Sequence, residues 1–126
     1  MSNIHDMLFW PQDQLIFNGP FDFENLTYHQ TIKNNSKHRI AFAIKGNCIP
    51  HVIAYPPHGI LVPGEKKVIA VTVRKFDWNE VDYNKQRICY EYVLLQDSDK
   101  IEEFNHKLLL NSDMSRRKNI KIIYNP

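Results

Sequence analysis

The chain has 126 residues with a hydrophobic fraction of 43% and a charged fraction of 24%, which suits one globular domain spanning 1–126 and excludes two. Its apolar runs, such as Val68–Val73, are strand-sized and far below the ~18 residues of a membrane helix, so no direct membrane insertion is expected. The net charge of +2 is unevenly spread: residues 112–126 set Arg116, Arg117, Lys118 and Lys121 against Asp113, while Asp97, Asp99, Glu102 and Glu103 against Lys100 form an acidic patch.

Met1–Trp10 lacks both a basic start and a sustained apolar stretch, so no signal peptide is read and a cytoplasmic location is expected. Gln14–Asn18 is the first strand candidate, set between Pro11 and Pro20, and its shortness marks it as an edge. Tyr28–Asn34 follows. After the turn signal Asn34-Asn35-Ser36-Lys37, Arg39–Lys45 alternates with Ile40, Phe42 and Ile44 on one face. Val52–Tyr55 is a short strand, and the aromatic-proline pair in Tyr55-Pro56-Pro57 predicts one cis peptide. Pro63-Gly64 is a turn before Lys67–Arg74, where Ile69, Val71 and Val73 share a face. Asp77–Tyr83 hints at a helical turn. In Gln86–Leu95, Ile88, Tyr90, Tyr92 and Leu94 alternate with Cys89, Glu91, Val93 and Leu95. Asp97-Ser98-Asp99 breaks the chain, and Glu103–Leu110 and Ile120–Tyr124 complete the strand candidates. Seven or eight short strands separated by turn signals predict an all-β antiparallel sandwich, with the named Ile, Phe and Val faces buried between its sheets.

Catalytic motifs are missing from this pattern. Gly59–Lys66 has the glycines of a phosphate loop, but Glu65 precedes the lysine, Lys67 stands where a hydroxyl is needed, and a strand follows. The six histidines show no metal-ligand spacing, and neither Cys48 nor Cys89 sits in a nucleophile-elbow context. Both cysteines read as unpaired thiols. The triplets Asn25-Leu26-Thr27 and Asn34-Asn35-Ser36 read as turns and not as glycan acceptors. Arg116-Arg117-Lys118 reads as a basic turn without interleaved aromatics, so no nucleic-acid partner is expected. No cofactor and no enzymatic activity are expected.

Several segments carry a resemblance. They are Leu15-Ile16-Phe17-Asn18-Gly19-Pro20-Phe21-Asp22, Lys33-Asn34-Asn35-Ser36 with Arg39-Ile40, Tyr55-Pro56-Pro57-His58-Gly59-Ile60-Leu61, Arg87-Ile88-Cys89-Tyr90-Glu91-Tyr92, and Met114–Pro126. In order and spacing they resemble the nematode major sperm proteins, from about Gln12 to Pro126. The resemblance implies an immunoglobulin-like seven-stranded sandwich. It further implies a subunit of the sperm pseudopod cytoskeleton that forms homodimers and then nucleotide-independent, non-polar filaments. Its partners would be its own copies and accessory cytoskeletal proteins. Gly46–Tyr55 and Asp77–Tyr83 depart from the family pattern, so the chain reads as a divergent copy. Candidate self-association residues are Gln14, Ile16 and Asn18 on the edge strand, and Arg116, Arg117 and Lys118, which would meet the acidic Asp97–Glu103 region of a neighbour. The chain is also similar to the VAMP-associated proteins, which dock short acidic peptides carrying two aromatic residues. On that alternative Lys45, Gly46, Arg87 and Cys89 line a peptide groove, with Gly46 in place of a threonine.

Overall fold

The computed structural model describes residues 6–48, 51–77, 86–96, 103–105, 107–110 and 115–125. Asp77–Tyr83 and the acidic stretch Asp97–Glu103 therefore fall largely outside the described residues. Among the described residues nine strands form, in chain order β1 (Met7–Trp10), β2 (Gln14–Asn18), β3 (Leu26–Asn34), β4 (Ile40–Gly46), β5 (Val52–Tyr55), β6 (His58–Leu61), β7 (Lys66–Val73), β8 (Arg87–Leu94) and β9 (Arg116–Asn125), with one helical turn, α1 (Lys107–Leu110), before β9. They make a four-stranded sheet ordered β1-β3-β7-β5 and a five-stranded sheet ordered β2-β9-β8-β4-β6. The extra strands over the expected seven are short ones. They arise where the first strand divides between the sheets and where β6 returns along β4.

Alternation places the core as the sequence implies. Ile40, Phe42 and Ile44 of β4 and Ile69, Val71 and Val73 of β7 are all buried in one cluster with Ile88, Tyr90 and Tyr92 of β8 and Ile120 and Ile122 of β9. Phe42 fills its site tightly: a Cβ on neighbouring Gly59 would come within 3.2 Å of its ring. Gly64, at φ 81, supplies the left-handed residue of the Pro63-Gly64 turn between β6 and β7. The Tyr55–Pro56 peptide is cis as expected, and so are Trp10–Pro11 and Gly19–Pro20.

Asn34 is fully buried at the end of β3. Its amide nitrogen donates to the carbonyls of His38 (2.7 Å) and Leu61 (3.0 Å), and its oxygen accepts from the backbone and hydroxyl of Ser36. The Asn34-Asn35-Ser36 triplet is thus a structural turn whose asparagine nitrogen is already committed. Cys48 and Cys89 are both free thiols.

Three expectations are corrected. Glu103–Leu110 is not a strand. The Asn105 side chain accepts from Lys107 N–H at 2.9 Å and opens the α1 turn, and Leu109 packs with Ala41, Ala43, Val93 and Leu95 on the outer face of the five-stranded sheet. Arg116-Arg117-Lys118 is not a turn but the first part of β9, antiparallel to β8. The sandwich is not wholly antiparallel either: β2 runs parallel to β9, because the chain leaves β1, changes sheets and meets β9 from the same end.

Truncating Phe42 to Ala removes a fully enclosed ring from between the sheets. It is expected to cost about 3–5 kcal/mol of stability in a denaturant titration, and a loss below about 1 kcal/mol would contradict this placement.

Candidate functional site

Two adjoining surfaces carry the side chains singled out by the sequence. The first is the outer face of the five-stranded sheet. Inward-facing residues of β4 and β8 fix the opposite parity for Ala41, Ala43 and Lys45 and for Arg87, Cys89, Glu91 and Val93. Lys45 lies directly opposite Cys89, and Gly46 opposite Ile88. The four groove candidates Lys45, Gly46, Arg87 and Cys89 are therefore neighbours across one strand pair.

Gly46 has a steric cause. A Cβ there would sit 2.8 Å from the Arg87 carbonyl oxygen, so the close approach of the two backbones requires glycine. Arg87 is in turn knitted to the following loop: its N–H donates to Asn47 Oδ1 at 2.9 Å, and its carbonyl accepts from Cys48 Sγ at 3.5 Å.

Glu91 is the residue that sequence reasoning missed. Its carboxylate is 10% exposed and bonds Lys45 Nζ at 3.2 Å, with Arg117 Nε 3.7 Å away, while Lys45 itself is 56% exposed. Glu91 lies between two cross-strand partners, Arg117 on β9 and Ala43 on β4, the latter small enough to leave room for both cations to converge. The groove is thus a positive rim around a buried negative charge. The one available signal was an acid in a strand whose same-face neighbour Val93 is apolar. Burial pushes the Cys89 thiol above its ordinary pKa, so it stands there as a neutral, weakly polar group. The rest of this face is closed by α1, with Phe104 stacked on His58 at 4.6 Å.

The second surface is the sheet edge. Gln14, Ile16 and Asn18 lie on β2, which is the edge strand expected. Ile16 pairs with Ile123 of β9, and the two stand 45% and 38% exposed on the outer face. Arg116, Arg117 and Lys118 continue along the same edge, where Lys118 Nζ is held by Asp13 Oδ1 at 2.7 Å. All six self-association candidates therefore share one border of the molecule.

Beyond the groove, the ring of His51 stands edge-on to Phe76 at 4.7 Å, and its Nε2 is buried without a hydrogen-bond partner. Desolvation lowers its pKa below the ordinary 6.5. Among the described residues no group of three or more His, Cys, Asp or Glu could hold a metal ion, and no helix is long and apolar enough to cross a membrane.

Two twisted sheets enclosing one apolar core, with the first strand divided between them, define an immunoglobulin-like β-sandwich. Solved structures share it. WR4 of Caenorhabditis elegans, an MSP family member, superposes with a TM-score of 0.65 at 14% identity over 86% of this chain and 91% of that one. SSP-19, an MSP-domain-like protein of the same organism, gives 0.62 at 10% over 91% and 97%. A PapD-like domain of human CEP192 gives 0.58 at 8% over 98% and 89%. In sequence, the MSP (major sperm protein) domain model matches residues 6–111. Major sperm protein 77/79 of C. elegans is 34% identical over 116 residues, covering 92% of this chain and 90% of the relative, and major sperm protein 152 matches to the same extent. The chain belongs to the MSP domain family.

The depressed pKa of His51 fixes a sign for pH dependence. Above about pH 6.5 neither the folded nor the unfolded chain protonates this ring, and its contribution is complete. As pH falls below that value, the unfolded state takes up a proton that the folded state resists, so stability declines toward the folded-state pKa. Denaturant midpoints between pH 7.5 and 5.5 are expected to fall more steeply for the wild type than for His51→Leu. Parallel profiles would contradict the assignment.

Proposed function

We propose that this chain is a non-enzymatic cytoskeletal subunit that associates with its own copies into dimers, and through them into nucleotide-independent, non-polar filaments of the sperm pseudopod. The observation that carries this reading is the β2 border, where Ile16 and Ile123 expose apolar surface side by side along an edge strand. Edge strands offer unpaired N–H and C=O groups to another copy, and an isologous patch closes a dimer around a two-fold axis. Dimers joined by equivalent contacts at both ends give a filament without polarity. The sequence relatives are named major sperm proteins, and none of these names denotes an enzyme.

A second reading is favoured by one observation, the convergence of Lys45, Arg87 and Cys89 on a single face. There the chain would act as an adaptor for short acidic peptides with two aromatic residues. Glu91 opposes it by neutralising Lys45 from below, and Gly46 offers no hydroxyl to the peptide.

Sedimentation equilibrium from micromolar to about 1 mM protein, where a contact worth about −4.1 kcal/mol is half-populated, decides between them. The subunit reading predicts a dimer whose dissociation constant rises about tenfold in Ile16→Lys, as expected when an interface anchor is replaced by a charge. A monomer throughout, together with tight calorimetric binding of a double-aromatic acidic peptide that is lost in Arg87→Glu, would establish the adaptor instead.

A further inference from the structure

β9 is longer than the strand that covers it. β8 flanks it from Arg116 to Lys121, but β2 begins only opposite Lys121 and runs to Asn125. The direction of each backbone group along β9 follows from two hydrogen bonds. Lys121 N–H donates to Asp13 on the β2 side at 3.0 Å, and Ile122 N–H donates to Gln86 on the β8 side at 2.9 Å. Because direction alternates along a strand, the N–H and C=O of Arg117 and Asn119 point away from β8, toward a border where no described strand pairs with them.

That border is not closed by the other sheet. A cavity of about 440 Å3 separates it from β1 and is lined by Phe9, Trp10, Tyr92, Arg116, Arg117 and Lys118 among others. β1 turns an edge to the same space. The Asp6 carbonyl accepts from Asn35 on the β3 side, so by alternation Met7 and Phe9 direct their backbone groups away from β3. The side of the sandwich therefore presents backbone edges from both sheets, with Phe9, Tyr92, Arg116 and Lys118 lining the space between them.

We propose that the uncovered length of β9 accepts an extended, acidic segment of another protein by strand addition, as a continuation of the line of β2. Arg117 and Asn119 supply the backbone ladder, Phe9 and Tyr92 take the apolar side chains of alternate residues, and the cations receive the acidic ones. Charge selects the occupant. The lining carries three basic side chains and no carboxylate, although Lys118 is bonded to Asp13, Arg117 lies within 4.0 Å of Glu91 on the outer face, and the Asp6 carboxylate acts on Tyr92 beside Arg116. A second copy pairing through its own β9 would set the Arg116-Arg117-Lys118 triplets against each other, and like charges directly opposed across a ladder destabilise it.

The test uses the full chain and an acetylated eight-residue peptide alternating valine and glutamate, with a valine–lysine peptide as control. Hydrogen exchange read residue by residue should show the Arg117 and Asn119 amides gaining protection with the glutamate peptide, at a dissociation constant below about 1 mM, and not with the lysine peptide. Asn119→Pro removes one outward N–H while sparing the β8 ladder, and should weaken binding at least tenfold. Asn119→Ala, which keeps that N–H, should not. The exchange result on the wild type stands even if the proline variant fails to fold. The proposal is overturned by absence of binding at 1 mM, by equal binding of the lysine peptide, or by affinity indifferent to Asn119→Pro in a folded variant. It is also overturned if protection of these two amides rises with protein concentration alone, which would make the occupant a second copy.

Discussion

A single buried hydrogen-bond chain sets where this polypeptide changes sheets. Tyr90 Oη donates to Gln30 Oε1 at 2.8 Å, and Gln30 Nε2 donates to the Pro11 carbonyl at 2.8 Å. Both side chains are 0% exposed. The chain joins β8 of one sheet, β3 of the other and the segment between β1 and β2. Burial raises the Tyr90 hydroxyl well above its ordinary pKa, so it remains a neutral donor, and the Phe9 ring closes over it at 5.0 Å. An unpartnered buried polar group costs about 1–3 kcal/mol, so the three elements are held in one relative position or each loses a partner.

The surface follows from that position. With Pro11 anchored, β1 completes one sheet and β2 can reach β9 only from Lys121 onward. Ile16 is thereby set beside Ile123, Lys118 beside Asp13, and the first residues of β9 are paired by β8 on one side and by no described strand on the other. The outer face is governed separately, by Ala41 and Ala43. Their small side chains admit α1 and Leu109 at one end and the Glu91 carboxylate with its two cations at the other. Membership of the MSP domain family accounts for the frame, and the exposed border and the charged face are the surfaces that the proposed associations would use.

Much of the frame was legible because period-two alternation is a direct consequence of strand geometry. Ile40, Phe42 and Ile44, and Ile69, Val71 and Val73, could face only one way as soon as the strands were recognised. Pro63-Gly64 and Tyr55-Pro56 were readable from backbone chemistry alone. Glu103–Leu110 was misread because its leucines fit either period, and the deciding feature was the local bond from Asn105. Arg116–Lys118 looked like a turn because charge clusters there usually are solvated, yet an open sheet edge tolerates the same charges. Gln30 and Asn34 shared the inward parity of Tyr28 and Ile32. Nothing in one strand could show that Tyr90, Pro11 and Leu61, distant in sequence, would satisfy them. The groove set Lys45, Gly46, Arg87 and Cys89 came from resemblance; the structure joins these residues, but the Glu91 counter-charge beneath them depends on a cross-strand register that no single segment contains.

The most direct measurement is residue-resolved hydrogen exchange on Gln30→Met, which keeps the volume of the side chain and removes both of its hydrogen bonds. If the Tyr90–Gln30–Pro11 chain fixes the change of sheets, the inward-bonded amides of Leu8 and Trp10 in β1 and of Leu15 and Phe17 in β2 lose about tenfold or more of their protection, while those of β4 and β7 are much less affected. A uniform loss across both sheets, or no loss at β1 and β2, would contradict it.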